Sequence, residues 1–161
     1  MLVHLKALFA PAERGAPSGP PEDRKRLAAA ALLVEAARLD GTFDAAEQTA
    51  IRAILGRHFG LDGAAADELM RLGAEAQSRS NQLVYFTRAI KDAYGPEDRV
   101  ALIEMLWEVA YADGELHPYE ANLLRRIGGL IYVSDKDRGA ARKRVLERLG
   151  LKADKAGLGA G

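Results

Sequence analysis

The chain has 161 residues, 48% of them hydrophobic, with no cysteine and with Lys+Arg and Asp+Glu balanced at 23 each. That length is one domain's worth, and that apolar fraction is enough for a sizeable core. Zero net charge argues against a general nucleic-acid coat, which needs a basic excess, and the lack of cysteine excludes disulfides, thiolate zinc sites and cysteine nucleophiles.

Ala, Leu, Arg and Glu recur throughout and long Val/Ile/Thr runs are missing, which predicts an all-α chain. Residues 2–9 carry an apolar stripe of Leu2, Leu5, Leu8 and Phe9. It reads as a short helix strapped onto the domain, with a partner-docking or membrane-surface helix as the alternatives. The Pro/Gly-rich stretch 11–21 that follows is a linker by composition. The expected division is therefore an N-terminal helix and linker over 1–22, a helical domain over 23–150 and a tail over 151–161. No apolar run approaches the ~20 residues of a bilayer span, and residues 1–10 are too short and too weakly basic for a secretory signal. The expected location is cytoplasmic, with peripheral membrane association through residues 1–10 as the alternative.

Seven helices are predicted. The first covers about 24–39. The second starts after Asp44, runs to His58 and Phe59, and is closed by Gly60. The third starts after Asp62 and reaches about Ser78; the fourth runs from near Ser80 to Tyr94 and Gly95. The fifth opens on Pro96 with Glu97 and Asp98 behind it, a favourable N-terminus, and ends at Ala112. The sixth opens on Pro118 and reaches about Tyr132. The seventh has Ser134 as N-cap and runs to Leu149.

An internal repeat organises these helices. Val34–Leu55 laid over Trp107–Gly128, an offset of 73, matches at seven of 22 positions. Glu35 meets Glu108, Ala37 meets Ala110, and Asp40-Gly41 meets Asp113-Gly114. Glu47 meets Glu120, Arg52 meets Arg125 and Ile54 meets Ile127. This predicts a single compact bundle built on a duplicated helix–Asp-Gly–helix unit whose copies are related by a pseudo-twofold.

Part of the repeat has a purely structural explanation. Gly41 and Gly114 sit where a helix must stop, at a position suited to left-handed backbone. Asp44 is a natural N-cap, and Glu47 three residues on completes a capping box. In the second copy His117 takes the cap position, with Pro118 after it and Glu120 as the box partner. Phe43 and Leu116 precede these helices and staple their first turns.

Glu35 and Glu108 are different. Leu27 to Ala37 is apolar at every position except Glu35, and Val100 to Ala112 is apolar except for Glu104 and Glu108. Helices apolar on all sides are central in a bundle, and a carboxylate there needs a partner, because an unpaired buried charge costs several kcal/mol. Two partners fit: an arginine, from among Arg38, Arg52 and Arg125, or a cation shared with Asp40 and Asp113. Such a carboxylate set is hard-oxygen chemistry, suited to Ca²⁺ or Mg²⁺ rather than zinc. An EF-hand does not fit, since its loop has glycine at position six and glutamate at twelve.

Other signals are missing from the sequence. There is no phosphate-cradling Gly-rich loop, no Glu-x-x-His pair for a helical di-iron site and no nucleophile elbow around Ser18. His4, His58 and His117 are scattered and read as surface or capping residues. Lys136, Arg138, Arg142, Lys143, Arg144 and Arg148 are interleaved with acids and lack aromatic neighbours, which predicts a solvated helix face, with a surface for phosphate or an acidic partner as the alternative.

The segments VEAARLDGTFDAAE and WEVAYADGELHPYE resemble the TerB-like family, the tellurite-resistance protein B group, which also includes the N-terminal domain of a membrane-anchored DnaJ-type co-chaperone. The resemblance covers roughly residues 25–135. It implies an all-helical, pseudo-duplicated module that binds a divalent cation or a protein partner, linked to stress responses, often near the membrane and without established catalysis. The matching acidic positions are Glu35, Asp40, Glu47, Glu108, Asp113 and Glu120, the candidate metal ligands. His117, where the first copy has Asp44, and the basic stretch after Val133 depart from the pattern. The expectation is a non-enzymatic module with a divalent cation, a protein partner or both, no nucleic acid and no small-molecule substrate. The alternatives are an adaptor whose carboxylates are structural and, behind it, a metal-dependent hydrolase using the same acids.

Overall fold

Eight consecutive residues, Leu27 to Val34, are buried without a gap, so along that stretch no face of their helix meets solvent. The computed structural model describes residues 21–40, 43–79, 83–112 and 116–151, residues 21 and 40 by backbone alone. Among the described residues there are seven α-helices and no strand. They are α1 (Pro21–Ala37), α2 (Ala45–Phe59), α3 (Gly63–Arg79), α4 (Leu83–Ala93), α5 (Pro96–Ala110), α6 (Pro118–Leu130) and α7 (Asp135–Leu149). A 3₁₀ turn, Arg38–Asp40, follows α1. The all-helical bundle expected from composition and periodicity is the fold observed. The stripe at Leu2 to Phe9, the linker up to Pro20 and the tail beyond Leu151 lie outside the described residues.

The core is one contiguous cluster around α1 and α5. Packing against α1 come α3, α4, α5 and α2, while α7 lies along α5. Small residues set how closely α1 and α3 approach. A Cβ on Gly73 would stand 2.6 Å from the Ala30 Cβ and 2.9 Å from its carbonyl carbon, inside any tolerable contact distance. The alanine run 28–31 and Gly73 thus let two backbones meet, which larger side chains would prevent.

The duplication extends further than the sequence match. In each half the first helix is followed by a shorter-range partner and then by a third helix packed on the first: α1, α2, α3 in one half and α5, α6, α7 in the other. The register slips by one residue inside the second helix, so that the offset of 73 becomes 72. Beyond the slip the turn chemistry matches. The Leu61 N–H donates to the Gly56 carbonyl at 3.0 Å, and the Val133 N–H donates to the Gly128 carbonyl at 2.8 Å. The residue that closes each helix is left-handed: Gly60 at φ 65° and Tyr132 at φ 63°. These are two copies of the same C-terminal motif, the second with tyrosine where glycine is the low-strain choice. At the new offset four buried positions of the third helices coincide: Ala66 with Arg138, Leu69 with Ala141, Met70 with Arg142 and Gly73 with Val145.

Candidate functional site

The capping residues act as their spacing predicts. The Glu47 N–H donates to Asp44 Oδ1 at 2.8 Å while the Asp44 N–H donates to Glu47 Oε1 at 2.9 Å, a complete capping box on α2. On α6 the His117 N–H donates to Glu120 Oε1 at 3.2 Å. Each of these glutamates therefore commits one carboxylate oxygen to a helix end. Phe43 and Leu116 are partly buried and pack against the core. Asp113, Gly41 and Gly114 lie outside the described residues, as does the Asp40 side chain.

Glu35 and Glu108, equivalent in the repeat, have unlike surroundings. Glu35 is half-buried near the end of α1. Its Oε1 accepts from Gln77 Nε2 on α3 at 2.8 Å, and Gln77 Oε1 in turn accepts from Arg38 Nη1 at 2.7 Å. The arginine reaches the carboxylate only through a neutral amide. No described ion pair includes Glu35.

Glu108, 6% exposed, is enclosed by basic groups. Arg57 Nη2 of α2 bonds to its Oε2, His58 Nε2 lies 3.1 Å from its Oε1, and Arg148 Nη2 of α7 lies 3.7 Å from its Oε2. One helical turn earlier, Glu104 accepts from Arg144 Nε and Arg148 Nη1, both at 2.8 Å. Burial pushes the Glu108 carboxyl up, but the His58 hydrogen bond and the charges of Arg57, His58 and Arg148 outweigh it, leaving the group below the ordinary carboxylate range. Glu104 is likewise held low: burial raises it and its two arginines more than reverse this. Arg148, bonded to Glu104, is correspondingly raised.

These contacts correct three expectations. None of Arg38, Arg52 and Arg125 pairs directly with either glutamate: Arg52 Nη1 reaches Asp67 at 3.3 Å, and Arg125 is exposed. The basic stretch of α7 is not simply a solvated face either. Arg138 and Arg142 are buried, and Arg144 and Arg148 are tied to Glu104 and Glu108. His58, read from sequence as a surface or capping residue, joins the Glu108 cluster. The signal that marks this cluster in the sequence is a matched spacing, with two acids four apart on α5 and two arginines four apart on α7. His58 also lines a cavity of about 230 Å³ between α1, α2 and α5, with Lys25, Arg26, Phe59, Tyr94 and Asp98 around it.

Among the described residues no group of three or more His, Asp or Glu side chains is placed to hold a metal ion, and no helix is long and apolar enough to cross a membrane. Of the six acids singled out by the repeat, the four whose side chains are described fall into separate settings: Glu47 and Glu120 at helix caps, Glu35 in an amide relay and Glu108 in an ion-pair cluster.

An all-helical module of two three-helix copies, with a central apolar helix in each and an acidic turn at its end, is the class of protein this architecture defines. The family model for the tellurite resistance protein TerB matches residues 26–143, and the chain belongs to that family. The match takes in both central helices and extends into α7, which the paired motif alone does not reach. No curated protein and no solved structure matches the chain.

Proposed function

We propose that this chain is a non-enzymatic, cytoplasmic TerB module in a tellurite-resistance-like stress response, whose acidic turn after α1 takes a divalent cation. The observation that carries the reading is the contrast between the two repeat glutamates. Glu35 lies one and a half turns before Asp40 at the end of a central helix, and it spends one oxygen on a neutral amide and none on a described cation. Its carboxylate keeps acceptor capacity for a hard cation such as Ca²⁺ or Mg²⁺. Glu108 is neutralised by protein cations and does not fit that role. The residues that would hold the ion are therefore Glu35 and Asp40, with Glu47 at the start of α2, rather than Glu108, Asp113 and Glu120. A bound ion would stabilise the fold by mass action.

Calorimetry and thermal melting with Ca²⁺ or Mg²⁺ against chelator test this. The expected result is saturable heat and a rise in Tm that Glu35→Gln abolishes and Glu108→Gln spares. No heat and no shift at millimolar cation would overturn the cation reading. The saturated carboxylate of Glu108 favours a second reading, an adaptor whose acids are structural and which acts by docking a partner protein. A parent melt that neither cation nor chelator moves, together with a loss of stability in Glu108→Gln, is its signature.

A further inference from the structure

We propose that Trp107, Tyr111 and Arg142 form a binding site for one small oxyanion, a carboxylate or phosphate group, at the end of α5. The three side chains are buried, at 4%, 4% and 7% exposure. Trp107 and Tyr111, one turn apart on α5, stack with ring centroids 5.9 Å apart. Arg142 enters from α7 and lies over both rings, at 5.7 Å from Trp107 and 5.9 Å from Tyr111. Its Nε donates to Tyr111 Oη at 2.8 Å.

Stacking satisfies the face of a guanidinium but not its in-plane N–H groups. Arg142 Nη2 is inaccessible to solvent and has no acceptor, and the same is true of the neighbouring Trp107 Nε1. Two buried donors, one of them cationic, thus belong to one stack of side chains and have no acceptor among the described residues. Each unmet buried donor is costly, and a buried cation without a counter-charge more so. Both are donors only, so the group that completes them is an acceptor, and the positive charge selects an anion.

The repeat supplies an internal control. The first copy has Val34, Arg38 and Met70 at the equivalent positions, and Met70 is buried in α3 as Arg142 is in α7. The fold therefore accepts an apolar side chain there, and packing does not require the arginine. Arg138, the other buried arginine of α7, has its own carboxylate, Asp135 Oδ1 at 2.6 Å. Arg142 alone of the two lacks one. The site lies at the end of α5, one residue before the exposed Ala112.

Trp107 is the chain's one tryptophan, so its fluorescence reports the site directly. The test titrates the full chain with inorganic phosphate and, separately, with acetate at constant ionic strength, chloride serving as control. The expected result is a saturable change, half-complete at ~1 mM, with at least one of the two anions and not with chloride. Arg142→Met, which installs the side chain of the first repeat, is expected to melt no lower than the parent and to lose the response. If that variant does not fold, Arg142→Lys is used, where a tenfold weaker response is expected because the planar fork is lost. A response that is linear, equal with chloride or unchanged in the folded variant overturns the site. This outcome is independent of the cation titration, which reads Glu35.

Discussion

Replacing Glu108 by glutamine keeps the shape of the side chain and removes the charge that three basic groups share. Truncating one member of a buried ion pair costs ~3–5 kcal/mol when the remaining charge stays buried. Here the cations are not buried with it: Arg57 is 57% exposed and Arg148 44% exposed, and Arg148 keeps Glu104. Both arginines can return to water, so the loss is nearer the worth of the charge-assisted bonds to Arg57 and His58, about 2 kcal/mol in total once the amide's remaining acceptor is counted. For a domain of this size that is a fall in Tm of roughly 6–10 °C. The pH dependence has a definite sign. The Glu104 and Glu108 carboxyls titrate below their ordinary value of 4.5 in the folded chain. Their contribution is complete above that value and is lost as the pH falls through the lowered folded values. Urea unfolding at pH 7 and at successively lower pH is the assay: the parent should lose stability below about pH 4.5 more steeply than Glu108→Gln. Glu35→Gln, with one amide contact at stake, should cost less than ~1 kcal/mol in chelator. A Glu108→Gln loss below ~0.5 kcal/mol, or equal losses in the two variants, would refute the distinction drawn between them.

Other substitutions probe the fold that positions these groups. Tyr132→Gly should be more stable than Tyr132→Ala by about 1 kcal/mol in urea unfolding, since both lose the Lys91 contact and only glycine accepts φ 63° without strain. Gly73→Ala should destabilise by about 2 kcal/mol despite a better helix former, because its Cβ meets Ala30. Gly129→Ala, with nothing within 4 Å of its Cβ, should instead stabilise by ~0.5–1 kcal/mol, and the opposite signs of these two glycine changes are the check. Ser134→Ala removes the acceptor for the Asp137 N–H at the start of α7 and should lower stability by ~1 kcal/mol in thermal melts.

Helix ends were legible wherever local chemistry specifies them. Asp44 with Glu47, Gly60, Pro96, Pro118 and Ser134 each mark a boundary that the structure keeps. The sixth helix stops two residues short of the predicted Tyr132 because its last turn closes through left-handed backbone at a tyrosine, a conformation the residue type does not advertise. The third helix of each copy was missed as part of the repeat because one residue is lost inside the second helix. Beyond that slip four buried positions coincide while their residue types do not: Ala66 corresponds to Arg138 and Met70 to Arg142.

The candidate site divided along the same line between local and long-range. That Glu35 and Glu108 needed partners followed from the apolar helices around them. Which partners they found did not, because these come from elements distant in the chain: Gln77 is 42 residues from Glu35, and Arg57 is 51 from Glu108. Duplicated motifs invite the assumption of duplicated roles, and the side chains contradict it. In the second copy Arg148 of α7, with Arg57 and His58 of the first copy's α2, makes the carboxylate part of the glue between halves. In the first copy a neutral glutamine on the third helix takes one carboxylate oxygen of Glu35 and leaves the other unspent. A cation that binds this module should therefore depend on one turn and not on both, with a stoichiometry of one ion per chain in calorimetry. Two equal sites would mean that Glu108 exchanges its arginines for metal, which the cost of stripping three basic partners from a 6% exposed carboxylate opposes.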